Sequence, residues 1–145
     1  MIHGLTVGPI TVRRLVEAIG VEQADVLADP ERFTLREAVA HLADWEKIDL
    51  DRIRQAIAQP GSTLQPYDES QRAIDENYAE ADILSHLDLY ASRRAETIAF
   101  LQSLTEDQWK AVAFHPEKGS LTVYDQANLI LGHDTYHVEH LTQFL

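Results

Sequence analysis

The chain has 145 residues, 24 of them acidic against 12 basic, and no cysteine. That is the length of one domain, residues 1–145, able to build a core without staples, and the missing thiols exclude disulfides, thiolate metal sites and cysteine nucleophiles. The acidic surplus, with basic residues paired only at Arg13-Arg14 and Arg93-Arg94, opposes contact with phosphate backbones and argues against a nucleic-acid partner.

No apolar run approaches the ~20 residues a membrane helix needs, and the N-terminus has no charged head followed by an apolar stretch. The absence of cysteine fits a reducing compartment. The expectation is a cytoplasmic protein with no membrane partner.

Apolar residues at helical spacing, Val12, Leu15, Val16 and Ile19, predict a first helix over about Thr11 to Ile19, ended by Gly20. A short turn from Glu22 to Leu27 and a break at Pro30 follow. Thr34 and Glu37 form a capping-box pattern that opens a second helix, whose stripe is Leu35, Ala38, Leu42, Trp45, Ile48, Ile53 and Ile57. Pro60-Gly61 ends it. From Pro60 to Ala81 the chain is polar and aperiodic, a long connection with room for one helical turn near Gln71 to Tyr78.

The third helix runs from about Asp82 to Leu104, with Ile83, Leu87, Ala91, Ile98 and Leu101 on one face. Thr105 to Gln108 is a second capping-box pattern, opening a short helix that carries Trp109. His115-Pro116 and Gly119-Ser120 mark a loop. Thr122, with Asp125 three residues on, opens the last helix, which continues through Ala127, Ile130, Leu141 and Phe144. No segment alternates long enough to predict a strand. Four main helices with one long connection, between the second and third, predict an all-α, up-down-down-up four-helix bundle.

The histidines separate by face. His41 lies between Ala38 and Trp45 on the apolar stripe, and His133 and His137 continue the stripe Ala127, Ile130, Leu141. Residues four apart on a helix hold their Cβ atoms about 5–6 Å apart, so two imidazoles can converge on one ion at about 2.0–2.1 Å. Such pairs are common, and an inward histidine is often a hydrogen-bonded core residue. Both readings stand, with His41 on a second inward stripe favouring the metal. His3, His86 and His115 read as terminal, off-face and loop residues. His140, one turn beyond His137, reads as a spare ligand, a supporting group or a helix-end cation.

The run His133-Asp134-Thr135-Tyr136-His137 does not make a zinc-protease signature. Aspartate is a methylene shorter than the glutamate base there, and only eight residues follow to supply a downstream ligand. The paired Glu-x-x-His motifs of di-iron bundles are absent too.

Phe33-Thr34-Leu35-Arg36-Glu37, His41-Leu42-Ala43-Asp44-Trp45-Glu46, Arg94 with Leu101 and Leu104, Pro116 to Gly119 with Leu121-Thr122-Val123, and His133-Asp134-x-x-His137 occur in order along nearly the whole chain. In this ordered set the sequence resembles the DinB/YfiT-like superfamily of metal-dependent four-helix bundles. It departs at Phe33, where the family usually has tryptophan, and at His140, where it often has glutamine.

The resemblance implies one divalent ion, zinc or nickel, on His41, His133 and His137, and a homodimer. It also implies an activity of the hydrolase, isomerase or thiol S-transferase type. A small-molecule substrate is expected, with a low-molecular-weight thiol as the cosubstrate of any transfer, because the chain has no thiol of its own. Asp44, one turn beyond His41, is the expected catalytic group, orienting the bound nucleophile or accepting a ring N–H. Arg94, a charge on an apolar stripe, needs a carboxylate partner, Asp134 or Asp44. The alternative function is a non-catalytic protein whose ion ties helices together.

Overall fold

Side-chain caps fix where every α-helix but the first begins. The computed structural model describes residues 1–145. Thr34, Thr105 and Thr122 each accept from the backbone N–H three residues on, and the side chains of Glu37, Gln108 and Asp125 return a bond to the cap N–H. These boxes open α2 (Leu35–Ala58), α5 (Glu106–Trp109) and α6 (Val123–Thr142). Asp82 and Asp68 cap α4 (Ile83–Gln102) and the short α3 (Glu69–Asp75) by accepting from Ser85 and Gln71.

The first helix, α1, spans Ile2–Ile19, nine residues earlier than periodicity predicts, and it contains Pro9. A proline inside a helix costs about 3 kcal/mol and strands the carbonyl four residues before it. Here that carbonyl belongs to Leu5, and it accepts from the Arg94 guanidinium at 2.8 Å. Gly4 and Gly8 bring α1 against α6, since a Cβ at Gly4 would lie 2.9 Å from Leu131 and one at Gly8 would overlap the Asp134 carboxylate. Tertiary contacts override the poor local propensity.

Cross-helix contacts give the directions. Arg36 reaches the Ala81 carbonyl, Arg93 that of Ala43, and Arg54 pairs with Glu96, so α2 and α4 run parallel. Arg13 pairs with Asp88 and Leu5 with Arg94, so α1 opposes α4. Gly4 meets Leu131 and Gly8 meets Asp134, so α1 and α6 are parallel. The bundle is up-down-down-up, as expected from the long connection. That connection carries α3 and a 3-10 turn at Tyr78–Glu80, docked on α2 where Asp44 takes two bonds from Arg72 and one from Tyr78.

A second expectation, after the start of α1, needs correction. Residues read as a loop form a two-stranded antiparallel hairpin, β1 (Val112–His115) with β2 (Gly119–Thr122), in the register Ala113 opposite Leu121. The strands are four residues each, too short to show alternation. They are held by the connection after α2, whose Leu64 N–H and Ser62 carbonyl bond the backbone of Phe114.

The core falls into two apolar clusters, one at each end. Val12, Leu35, Leu42, Leu87 and Leu141 anchor one; Leu5, Ile53, Leu101, Val123 and Ile130 anchor the other. Buried polar residues, among them Glu46, Arg94, Asp134 and His137, are carried by the stretches of α2, α4 and α6 between these anchors, and His41 lies beside Leu42 within the span of the first cluster.

Candidate metal centre

His41 is fully buried on α2, and His133 and His137 stand four apart on antiparallel α6. Each offers a ring nitrogen, and the three nitrogens lie within 4.8 Å of one another. The Nε2 atoms of His41 and His133 are 2.7 Å apart. Phe33 and Trp45 pack on the His41 ring with centroids 5.2 and 4.8 Å away, which fixes its orientation. The structure therefore brings together the three histidines that the sequence singles out.

Burial pushes the His41 pKa down to about 3, with His133 adding repulsion, and pushes His133 down to about 4. His137 is lowered further, again mainly by burial, then by the other two imidazoles. All three rings are thus neutral at neutral pH, the form in which imidazole ligates a metal. The Nδ1 atoms of His41 and His137 are buried without a hydrogen-bond partner. An unmade buried bond costs about 1–3 kcal/mol, and native proteins tolerate few. Three neutral nitrogen donors with uncompensated polar atoms fit a divalent ion.

Next to this cluster lies a saturated one. Arg94, 2% exposed, gives Nε and one terminal nitrogen to Glu46 at 2.8 Å and both terminal nitrogens to Asp134 at 2.6 and 2.8 Å. Tyr90 donates to Asp134 at 2.6 Å. With the Leu5 carbonyl, every guanidinium donor is used, and the adjacent His133 is positioned through Asp134. Of the expected partners for Arg94, Asp134 is used and Asp44 is not. Glu46 supplies the second carboxylate.

Asp44 makes no hydrogen bond to a histidine; its carboxylate holds Arg72 and Tyr78. Two carboxylates share a cavity with His133: Glu69 of α3 and, two turns beyond His41 on α2, Asp49. This cavity, about 130 Å³, is lined also by Trp45, Arg52, His115 and Gln126. Burial, then the nearby Glu46 charge, raises the Asp49 pKa to about 7, against the pull of Arg52 and Arg94. A second cavity, about 240 Å³, opens at His137 and His140 beside Arg32 and Tyr136, and Glu69 of α3 lines both. His140 is 1% exposed with neither ring nitrogen bonded, and it lies outside the three-histidine cluster.

Sequence reading missed Asp49 and Arg52, although His41, Trp45, Asp49 and Arg52 recur at spacings of 4, 4 and 3 along one face of α2. His115 and Gln126 carry no such local signal, because the hairpin and α6 bring them to the cavity.

A four-helix bundle that gathers three imidazoles from two antiparallel helices defines a protein that could hold a metal ion. The chain belongs to the DinB superfamily, whose model matches residues 8–141. It is similar to YfiT of Bacillus subtilis, 26% identical over 136 residues that make up 93% of this chain and 76% of that protein. It is also similar to OB0782 of Oceanobacillus iheyensis, 25% identical over 134 residues, 92% of this chain and 77% of the other. Both are named as candidate metal-dependent hydrolases. The solved structure of YfiT, described as a four-helix bundle of unusual topology, superposes with a TM-score of 0.90 at 26% identity, covering 99% of this chain and 82% of that one.

Proposed function

We propose that the protein is a metal-dependent hydrolase acting on a small molecule, with one divalent ion, zinc or nickel, held by His41, His133 and His137. The observation that carries this reading is the placement of three neutral ring nitrogens within 4.8 Å of one another beside a cavity containing Asp49. When bound, the ion supplies Lewis acidity and lowers the pKa of water. The chain's own residues do the rest. Trp45 and Phe33 hold the His41 ring, and Asp134, anchored on Arg94, sets the pitch of α6 at His133. Asp49, with a pKa near 7, takes the proton as the water oxygen bonds to the substrate carbonyl carbon, then returns it to the departing oxygen or nitrogen as that bond breaks.

Asp44 is the competing choice for the catalytic carboxylate, and the two are separable. Metal content by elemental analysis is measured beside turnover of an ester and amide panel, before and after chelation. The expected result is one ion per chain, activity lost with the ion, and Asp49→Asn inactive at unchanged metal content. Activity lost in Asp44→Asn but kept in Asp49→Asn would move the role to Asp44. A chain that retains no ion would end the reading. A thiol S-transferase would instead need a free thiol in the assay, since the chain has none.

Three further readings belong to the same proposal. No helix is long and apolar enough to cross a membrane, and the cysteine-free composition supports a cytoplasmic location. The family resemblance supports a homodimer, for which the sedimentation mass at micromolar concentration is the test, and the net charge of −12 supports no nucleic-acid partner.

A further inference from the structure

The cavity at His133 has a surplus of hydrogen-bond donors that the proposed hydrolysis does not use. Gln126, 6% exposed, has its amide nitrogen buried with no partner. The Arg52 Nε is likewise buried and unbonded, while one terminal nitrogen of the same side chain is anchored on the Gln65 carbonyl at 2.7 Å. His115 accepts at Nδ1 from the backbone N–H groups of Glu117 and Lys118, at 3.1 and 3.3 Å. Burial lowers its pKa, so the neutral ring carries its proton on Nε2, as a further donor. Lys118 stands at the mouth on the hairpin turn. These groups come from α2, the hairpin and α6, three separate parts of the chain, and all line one cavity.

We infer that this cavity is a carboxylate-recognition subsite, formed by Arg52, Gln126, His115 and Lys118, for a small monocarboxylic substrate whose reacting bond lies a few atoms away, at His133. Size and charge narrow the class. A volume of about 130 Å³ equals the share of about four waters, enough for a carboxylate and one or two carbons. A planar carboxylate can take two N–H donors at once. Asp49 and Glu69 line the same space, which disfavours a dianion such as phosphate. The buried, unbonded Gln126 amide nitrogen is a stability cost that a ligand oxygen removes.

The inference rests on the hydrolase reading for the position of the reacting bond, but its test does not. Calorimetric titration compares N-acetylglycine, its neutral amide N-acetylglycinamide, and inorganic phosphate, on metal-loaded and metal-stripped protein of measured metal content. The acid should bind both forms at least tenfold more tightly than the amide or phosphate. Arg52→Gln and Gln126→Leu should each weaken acid binding at least fivefold without changing metal content. Gln126→Leu should melt no lower than wild type, which separates loss of a ligand contact from loss of the fold. Equal affinity for acid and amide, or for acid and phosphate, would overturn the assignment. So would acid binding that survives both substitutions, or acid bound only when metal is present. A chain that takes up no metal yet still prefers the acid would sink the hydrolase reading and leave this subsite standing.

Discussion

Asp134 and His133 are neighbours on α6, yet the buried polar clusters they belong to are built in opposite ways. Around Asp134, the Arg94 guanidinium spends all its donors on two carboxylates and a carbonyl, and Tyr90 closes the remaining corner. Around His133, the Nδ1 atoms of His41 and His137 have no partner, and the cavity beyond is lined by Arg52 and Gln126, each with a buried nitrogen that makes no hydrogen bond. A saturated network has nothing left to offer a ligand and serves to lock four helices in register. An unsaturated one, retained at a cost to stability, marks where something else is meant to bind.

The strongest way to break that contrast is at Arg94. Arg94→Met leaves Glu46 and Asp134 buried without a counter-charge, and removing one partner of a buried pair costs about 3–5 kcal/mol. Urea denaturation should show a loss of that size or no folded protein. A loss under about 1 kcal/mol would mean the network is not what holds the helices together.

Asp49 should respond in the other direction. Its folded pKa, about 7, lies above the 3.8 of an ordinary aspartate. The folded state therefore holds a proton that the unfolded chain releases between pH 4 and 7, and folding is progressively penalised as pH rises through that window. Asp49→Asn should stabilise by about 1–3 kcal/mol at pH 8, with the gain shrinking as pH falls toward 4. A pH-independent difference would place the titration elsewhere.

The histidines should give the smallest change in fold and the largest change in composition. His133→Ala, at a half-buried position, should alter the stability of metal-stripped protein by less than about 1 kcal/mol while abolishing metal retention. His86→Ala, half-buried on α4 and away from the cluster, should change neither. Full metal occupancy in His133→Ala would remove His133 from the ligand set.

The sequence made the histidine cluster legible because its members obey the helical period on two apolar stripes, and three Thr caps set helix starts to the residue. It hid the first half of α1, where Gly4, Gly8 and Pro9 argue against a helix until Leu131, Asp134 and Arg94 are packed against them. It hid the hairpin, whose short strands are stabilised by Ser62 and Leu64, about fifty residues earlier. Asp49 was readable from spacing, but its partners in the cavity were not, because they converge only through the fold. Glu46 gave no signal of its own beyond lying inward on α2.

The hairpin and the α2–α4 connection also divide labour in the molecule. The three histidines sit on long helices whose other faces are committed to the core, whereas Lys118, Leu121 and Glu69 reach the cavity from short elements that contribute little to that core. On the proposed hydrolase function, substitutions at the turn from Pro116 to Gly119 would reshape which molecules enter without disturbing the histidine cluster. The same function would let a lineage of such proteins exchange substrates by drift in a few hairpin residues, and an engineer can randomise that turn with α2 and α6 left as they are.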